Sequence, residues 1–414
     1  MTLARLVEDL TRNWLTYLSM PILAALIGYV TKLVAIEMMF KPVEFKGKPP
    51  LLGWQGIIPR NSGRMASIAM DLLLGRLIDP HEILKRLDSD RLLAELREPL
   101  NRAVTEVGAD LMTKYQPQVW EMLPEPAQRL VLWQIKAQTP KVVAEIMNDF
   151  SANMDNYLDV RDMAVTNLIK DKAVLNRLIR DISRPEMRFI ARSGLYFGFI
   201  IGILQAIVWA LTHEPLIMPA FGALVGLSTD WIALKMIFYP REPRRILGVR
   251  WQGMFQKRRK QVAADYGKLI AEEVLTVPKL LDAMLTGPKA DRLLNLVQRH
   301  IARVVDRQVG LAKPLVVLTV GSERYRQLKA DAAQRAIAEV GYTIQPAMDY
   351  ATDALAVEKT IVDAMIALTP VEFEKVLRPA FQQDEWKLIL VGGILGAIVG
   401  ELQVHLLIGP LSGG

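Results

Sequence analysis

A segment of 23 residues occurs twice in this chain, 198 positions apart. MPILAALIGYVTKLVAIEMMFKP at 20–42 aligns without gaps to MPAFGALVGLSTDWIALKMIFYP at 218–240, with ten identities: Met20, Pro21, Ala25, Leu26, Gly28, Thr31, Ala35, Met38, Phe40 and Pro42. Trp54-Gln55-Gly56 recurs as Trp251-Gln252-Gly253, and Asp90-Arg91-Leu92-Leu93 recurs as Asp291-Arg292-Leu293-Leu294. GFIIGILQ at 198–205 returns as GAIVGELQ at 396–403. Self-similarity at a fixed long period marks an architecture built from copies of one unit. Polar matches in register separate this from the chance likeness of apolar helices.

Each copy reads as an apolar span, a helical block and a second apolar span. Trp14 begins a run without charges, and the helix it starts extends over 14–40. The other apolar helices cover 189–212, 215–240 and 386–408. About 20 helical residues cross the hydrocarbon core of a bilayer. Trp14, Trp209 and Trp386 lie at run ends, where interfacial aromatic belts form. The blocks at 41–188 and 241–385 show apolar residues at helical spacing broken by prolines, with few alternating runs. The expected fold is an all-α membrane protein with four transmembrane helices, a tandem parallel repeat with a pseudo-twofold axis along the membrane normal.

Composition agrees with that partition. Hydrophobic residues make up 51% and charged residues 23% of 414 positions, and mean hydropathy is +0.19. That is too apolar for a chain surrounded by water and too charged for one wholly in lipid. The chain has no cysteine and four scattered histidines, so neither a metal-ligand spacing nor a thiolate nucleophile is present. No metal or other cofactor is expected. Ser228 and Lys235 are two helical turns apart, about 10 Å, too far for a dyad. The chain reads as non-enzymatic.

The whole net charge of +7 is matched by residues 241–260, which hold eight Lys/Arg and one acid. A cationic run just after a span reads as a juxtamembrane anchor on anionic headgroups, not as a nucleic-acid surface. Arg60 and Arg64, then Arg244, Arg245, Arg250, Lys257, Arg258, Arg259 and Lys260, are the expected headgroup contacts. The opposite ends of the spans carry only Arg5 and Arg12, which puts the blocks and basic segments in the cytoplasm.

Within the spans, Lys32 aligns with Asp230 and Glu37 with Lys235, opposite charges at equal depth in each case. Charges in a span are costly unless paired or wetted. They mark either a pathway for an ion or substrate, or locks between helices. Positions five apart differ by about 140° around a helix, so only one pair can face the axis. Gln205, Gln403 and Glu401 are the other intramembrane polar positions, and Glu401 is the candidate protonatable group. Gly194, Gly198 and Gly202, with Gly222, Gly226, Gly392, Gly396 and Gly400, fall at four-residue spacing and allow close helix packing.

The strings TDWIALKMIFYP and QGMFQKRRKQVAADYGKLI, with weaker copies TKLVAIEMMFKP and QGIIPRNSGRMASIAMDLL, resemble the bacterial membrane-protein family called domain of unknown function 445. The resemblance covers essentially the whole chain. It implies a bacterial inner-membrane location and helical cytoplasmic segments, and no established chemistry. The first copy departs from the family pattern, with Lys32 at the usual Asn/Asp position and Glu37 at the usual Lys. From the residues, the expected role is a self-associating membrane scaffold touching anionic lipid. The alternative is a transporter or channel for an ion, lipid or apolar molecule at the repeat interface. A homo-oligomer is expected in either case.

Overall fold

The structure is a computed structural model describing residues 11–48, 52–246, 248–309, 321–378 and 385–405. The chain divides into two compact units. One comprises Met1–Leu73, Leu168–Leu269 and Val362–Gly414; the other comprises Leu74–Asn167 and Ile270–Ile361. The two blocks thus contribute jointly to one unit, where the sequence suggested one block per half. Arg5, and residues 406–408 of the fourth expected span, lie outside the described residues.

The first unit is organised by four long helices: α1 (Trp14–Phe40), α2 (Arg184–Thr212), α3 (Ile217–Phe238) and α4 (Glu385–Gln403). Three are long and apolar enough to cross a membrane; in α4 the apolar stretch is the shorter Ile389–Gln403. α2 starts five residues earlier than the sequence suggested, with Pro185 in its first turn and Glu186 near its positive end, both favourable there. It stops at His213, whose φ of 55° turns the chain toward α3.

α1 packs on α2, and α3 on α4, through glycines. A Cβ placed on Gly194 would lie 2.3 Å from the Gly28 carbonyl oxygen, and one on Gly392 would crowd Asp230 and the Gly226 carbonyl. Gly198 faces Ala24, and Gly202 faces Pro21. In the second pair Gly396 faces Gly222, and Gly400 faces Met218 and Pro219. Each contact recurs 198 residues later, because only side-chain-free positions let two backbones come this near.

The surface of these helices is apolar and their interior holds polar groups. Ile22, Leu26 and Val30 on α1, and Leu390, Ile394, Ile398 and Leu402 on α4, are exposed at one-turn spacing. Lys32, Asp230, Gln205, Gln403, Thr31, Thr229 and Ser193 are buried. A water-soluble protein shows the reverse distribution. Lipid is the surrounding that suits this one.

Each of α1 and α3 ends in a hairpin that the sequence analysis did not anticipate: β1 (Lys46–Lys48) with β2 (Leu52–Trp54), and β3 (Arg244–Ile246) with β4 (Val249–Trp251). Both are antiparallel, with Lys46 opposite Trp54 and Arg244 opposite Trp251. Among its described residues the second unit has helices joined by short turns and no strand. Its longest elements are Ser89–Tyr115, Glu125–Ala152, Ala290–Val309 and Ser322–Thr343. Asp79, Asp88 and Thr276 cap helix starts there by accepting backbone N–H bonds, satisfying donors that would otherwise be orphaned.

Candidate functional site

The centre of the four-helix packing contains two polar layers. In the first, Lys32 Nζ lies 3.3 Å from Asp230 Oδ1 and donates to Ser193 Oγ at 3.3 Å. Both side chains are nearly sealed, at 2% and 8% exposure. Ser193 is fixed because its hydroxyl donates to the Ile190 carbonyl at 2.7 Å. The cradle is glycine: a Cβ on Gly194 would meet the Lys32 stem at 3.0 Å, and one on Gly392 would collide with Asp230 Oδ2. Thr31 and Thr229 turn their hydroxyls back onto carbonyls one turn earlier. The layer is thus closed by its own partners.

The second layer joins Gln205 to Gln403, whose amide groups are 3.5 Å apart. Gln205 Nε2 also faces the Met218 sulfur at 2.7 Å. Gln403 Nε2 is buried without a hydrogen-bond partner. These two positions are copies of one another, so the layer straddles the relation between the halves.

Glu37 and Lys235 are not brought together. Glu37 is half-exposed and holds Lys41 at 2.5 Å and Arg180 at 3.3 Å. Lys235 lies 4.0 Å over the Trp231 ring. The 140° offset accounts for this: with Lys32 and Asp230 turned inward, residues five further on point outward. Glu401 is exposed, 3.6 Å from His405 one turn on.

Below the spans, the Trp-Gln-Gly motifs act as structural staples. Gln55 Nε2 donates to the Val43 carbonyl at 2.8 Å, and Gln252 Nε2 to the Arg241 carbonyl at 3.3 Å. Gly56 and Gly253 donate their N–H groups to Pro42 and Pro240, both at 2.9 Å. A Cβ on either glycine would strike the backbone at the end of α1 or α3. What the motifs leave outside is Trp54 and Trp251, partly exposed, beside exposed Lys46, Lys48, Arg244, Arg245 and Arg250.

The basic positions divide into two groups. Arg60, Arg64, Arg244, Arg245, Arg250, Lys257 and Lys260 are exposed. Arg258 and Arg259 are not available to headgroups, which corrects the expectation for them. Arg258 Nη1 pairs at 2.6 Å with Glu186, which is fully buried and requires a counter-charge. Arg259 donates to the Met365, Ile366 and Leu368 carbonyls at the end of helix Val357–Ala367 and lies over Phe373. It thereby satisfies carbonyls that a helix terminus leaves orphaned.

Sequence reasoning also missed a buried clasp beneath α3. Glu374 accepts from Arg241 at 2.5 Å and Arg378 at 2.7 Å, and Arg378 donates to the Tyr239 hydroxyl at 2.8 Å. Its counterpart beneath α1 uses Asn176, which donates to the Phe40 carbonyl at 2.9 Å, and Arg180 over the Phe40 ring. Asn176 and Arg180 stand 198 residues before Glu374 and Arg378, a signal that extending the duplication would have found. Burial pushes the Glu374 carboxyl up, but the two guanidiniums more than reverse this and leave it below the usual carboxylate range.

A depressed folded-state value stabilises fully above the unfolded pKa, about 4.3 for Glu, and the benefit is lost as pH falls through the folded value. Thermal unfolding followed below pH 4.3 should therefore lose stability in the wild type and much less in Glu374→Gln. Equal pH slopes would assign the acid sensitivity to other carboxylates.

The profile described as "Protein of unknown function (DUF445)" matches residues 220–369. Full-length similarity extends this: a UPF0754 membrane protein of Microcystis aeruginosa is 22% identical over 96% of this chain and 98% of its own length. Over residues 220–369 this chain is similar to the DUF445 family. A UPF0754 membrane protein of Picosynechococcus is 21% identical over 96% of this chain and 99% of the relative. A Geobacillus kaustophilus relative is 31% identical, over 29% of this chain and 33% of its own. No solved structure matches. The DUF445 resemblance and the inside-out distribution of polarity together make this a helical membrane protein.

Proposed function

We propose that this DUF445 relative is a non-enzymatic scaffold of the bacterial inner membrane, anchored by four spans arranged as a tandem parallel repeat. Its basic hairpins lie in the cytoplasmic headgroup layer. The observation that carries the reading is the filled centre of the α1–α4 packing, where Lys32 meets Asp230, Gln205 meets Gln403 and glycines bring the backbones together. Such a centre suits an anchor better than a conduit. The hairpins support the lipid contact, since tryptophan beside lysine and arginine is the composition of a membrane interface. Exposed Leu130 and Trp133, one turn apart on helix Glu125–Ala152, support self-association.

Native mass measurement after mild extraction tests both parts. The wild type should run as an oligomer retaining anionic lipid. Changing Lys46, Lys48, Arg244, Arg245 and Arg250 together to glutamine should strip most of that lipid and leave the mass of the protein assembly unchanged. A monomer at every detergent concentration overturns the scaffold, and undiminished anionic lipid in the variant overturns the hairpin contact.

One observation favours a second reading, a transporter at the repeat interface: a complete charge pair inside the spans. Flux that depends on Lys32 and Asp230 in reconstituted vesicles would select it.

A further inference from the structure

The second unit contains an apolar cavity of about 190 Å³ that is partly open. All 24 lining residues are apolar, and the two halves of the sequence supply 12 each. Leu92 and Leu293, which match in the duplication, both line it. The remaining wall includes Phe150 and Met147 from the first half, and Met284 and Met348 from the second. Ala351 is too short to fill the space it lines, whereas Ala347 is fully buried beside Leu92 and Leu96.

Water has little reason to occupy this space. A buried water needs two to four polar partners, and apolar cavities of about 150 Å³ stay dry and accept apolar guests. An empty cavity of this size forfeits dispersion contacts along its whole lining. The occupant must therefore be apolar, and its size limits it. The volume exceeds the roughly 150 Å³ of a cavity that takes a benzene-sized guest, so the space accepts a short run of methylenes. A docking helix, 10–12 Å across with its side chains, does not fit. A flat aromatic guest would fit the volume but would not use the open side. A linear hydrocarbon tail uses both, with its end inside and its polar head in water. Methionine walls adapt to such a flexible guest.

We propose that the second unit binds the acyl chain of a lipid in this cavity, on the seam between the two halves. The chain is held by its methyl-terminal end, and its headgroup remains outside. This site is separate from the headgroup contacts of the hairpins and does not depend on them.

The test uses the full-length protein in its own membranes and two probes carrying a diazirine at the terminal carbon of a palmitoyl chain, one a free fatty acid and one a phosphatidylglycerol. After irradiation, peptides containing Met147–Phe150 and Met284 should be labelled. Labelling by the free acid alone identifies a fatty acid as the source, and labelling by the phospholipid identifies membrane lipid; either supports the site. Peptides of α1 and α2 face lipid in any case and serve as an internal control. Ala351→Leu should reduce cavity labelling at least fivefold and leave span labelling unchanged. Ala351→Leu should keep the thermal midpoint of the wild type or exceed it, which separates loss of the site from loss of the fold. If span peptides are labelled and cavity peptides are not, the proposal fails. It fails equally if the filled variant keeps its fold and labels as strongly as the wild type.

Discussion

Replacing Lys32 by methionine is expected to destabilise the protein by about 3–5 kcal/mol, the usual cost of removing one partner of a buried ion pair. The methionine fills much of the same volume, so the loss is electrostatic. Asp230 would be left buried against Gly392 without its Lys32 partner. Asp230→Asn should cost less, because Ser193 still accepts from the lysine and the amide retains a dipole. The exchange Lys32→Asp with Asp230→Lys should recover at least half of the loss, since each position rests on a glycine that leaves room for either side chain. Thermal unfolding in one detergent, read as a double-mutant cycle, measures the coupling. A double variant no better than the sum of its singles would mean that the two groups do not act on each other.

That pair was legible in the sequence because the duplication put both residues at one depth and gave them opposite signs. The close glycine packing was legible from the four-residue spacing of Gly194, Gly198 and Gly202 and of Gly392, Gly396 and Gly400. Register carried the information, and register survives when side chains diverge. The helical character and the membrane location followed from apolar length and from basic flanks.

What escaped notice had no local signature. The hairpins are three-residue strands, too short for alternation to show, and they are held by Gln55, Gln252 and the two glycines through backbone bonds. Arg258 and Arg259 stand in a run of four like charges that looks uniform. Their inward roles are set by Glu186, 72 residues away, and by a helix end more than 100 residues away. The joint folding of 74–167 with 270–361 was equally hidden, since periodicity tells which face of a helix is apolar and not which helix covers it.

The glycine contacts provide the second large effect, and it has a pattern of its own. Gly222 and Gly396 oppose each other so closely that a Cβ on either would reach within 2.1 Å of the other's carbonyl oxygen. Backbone cannot move aside as a side-chain tip can, so α3 and α4 must separate along their length. Gly222→Ala or Gly396→Ala should each cost about 3 kcal/mol, the upper end for overpacking. The double variant should cost little more than either single, because the first methyl has already opened the space the second needs. Gly28→Ala combined with Gly226→Ala presses on two different helix pairs and should be additive within about 0.5 kcal/mol. Gly341→Ala is the control: nothing lies within 4 Å of its Cβ, and helix Ser322–Thr343 should gain about 0.5–1 kcal/mol from it. Thermal midpoints in one detergent decide the matter. Additivity in the facing pair, or neutrality of all four membrane glycines, would show that the helices are not held at backbone contact.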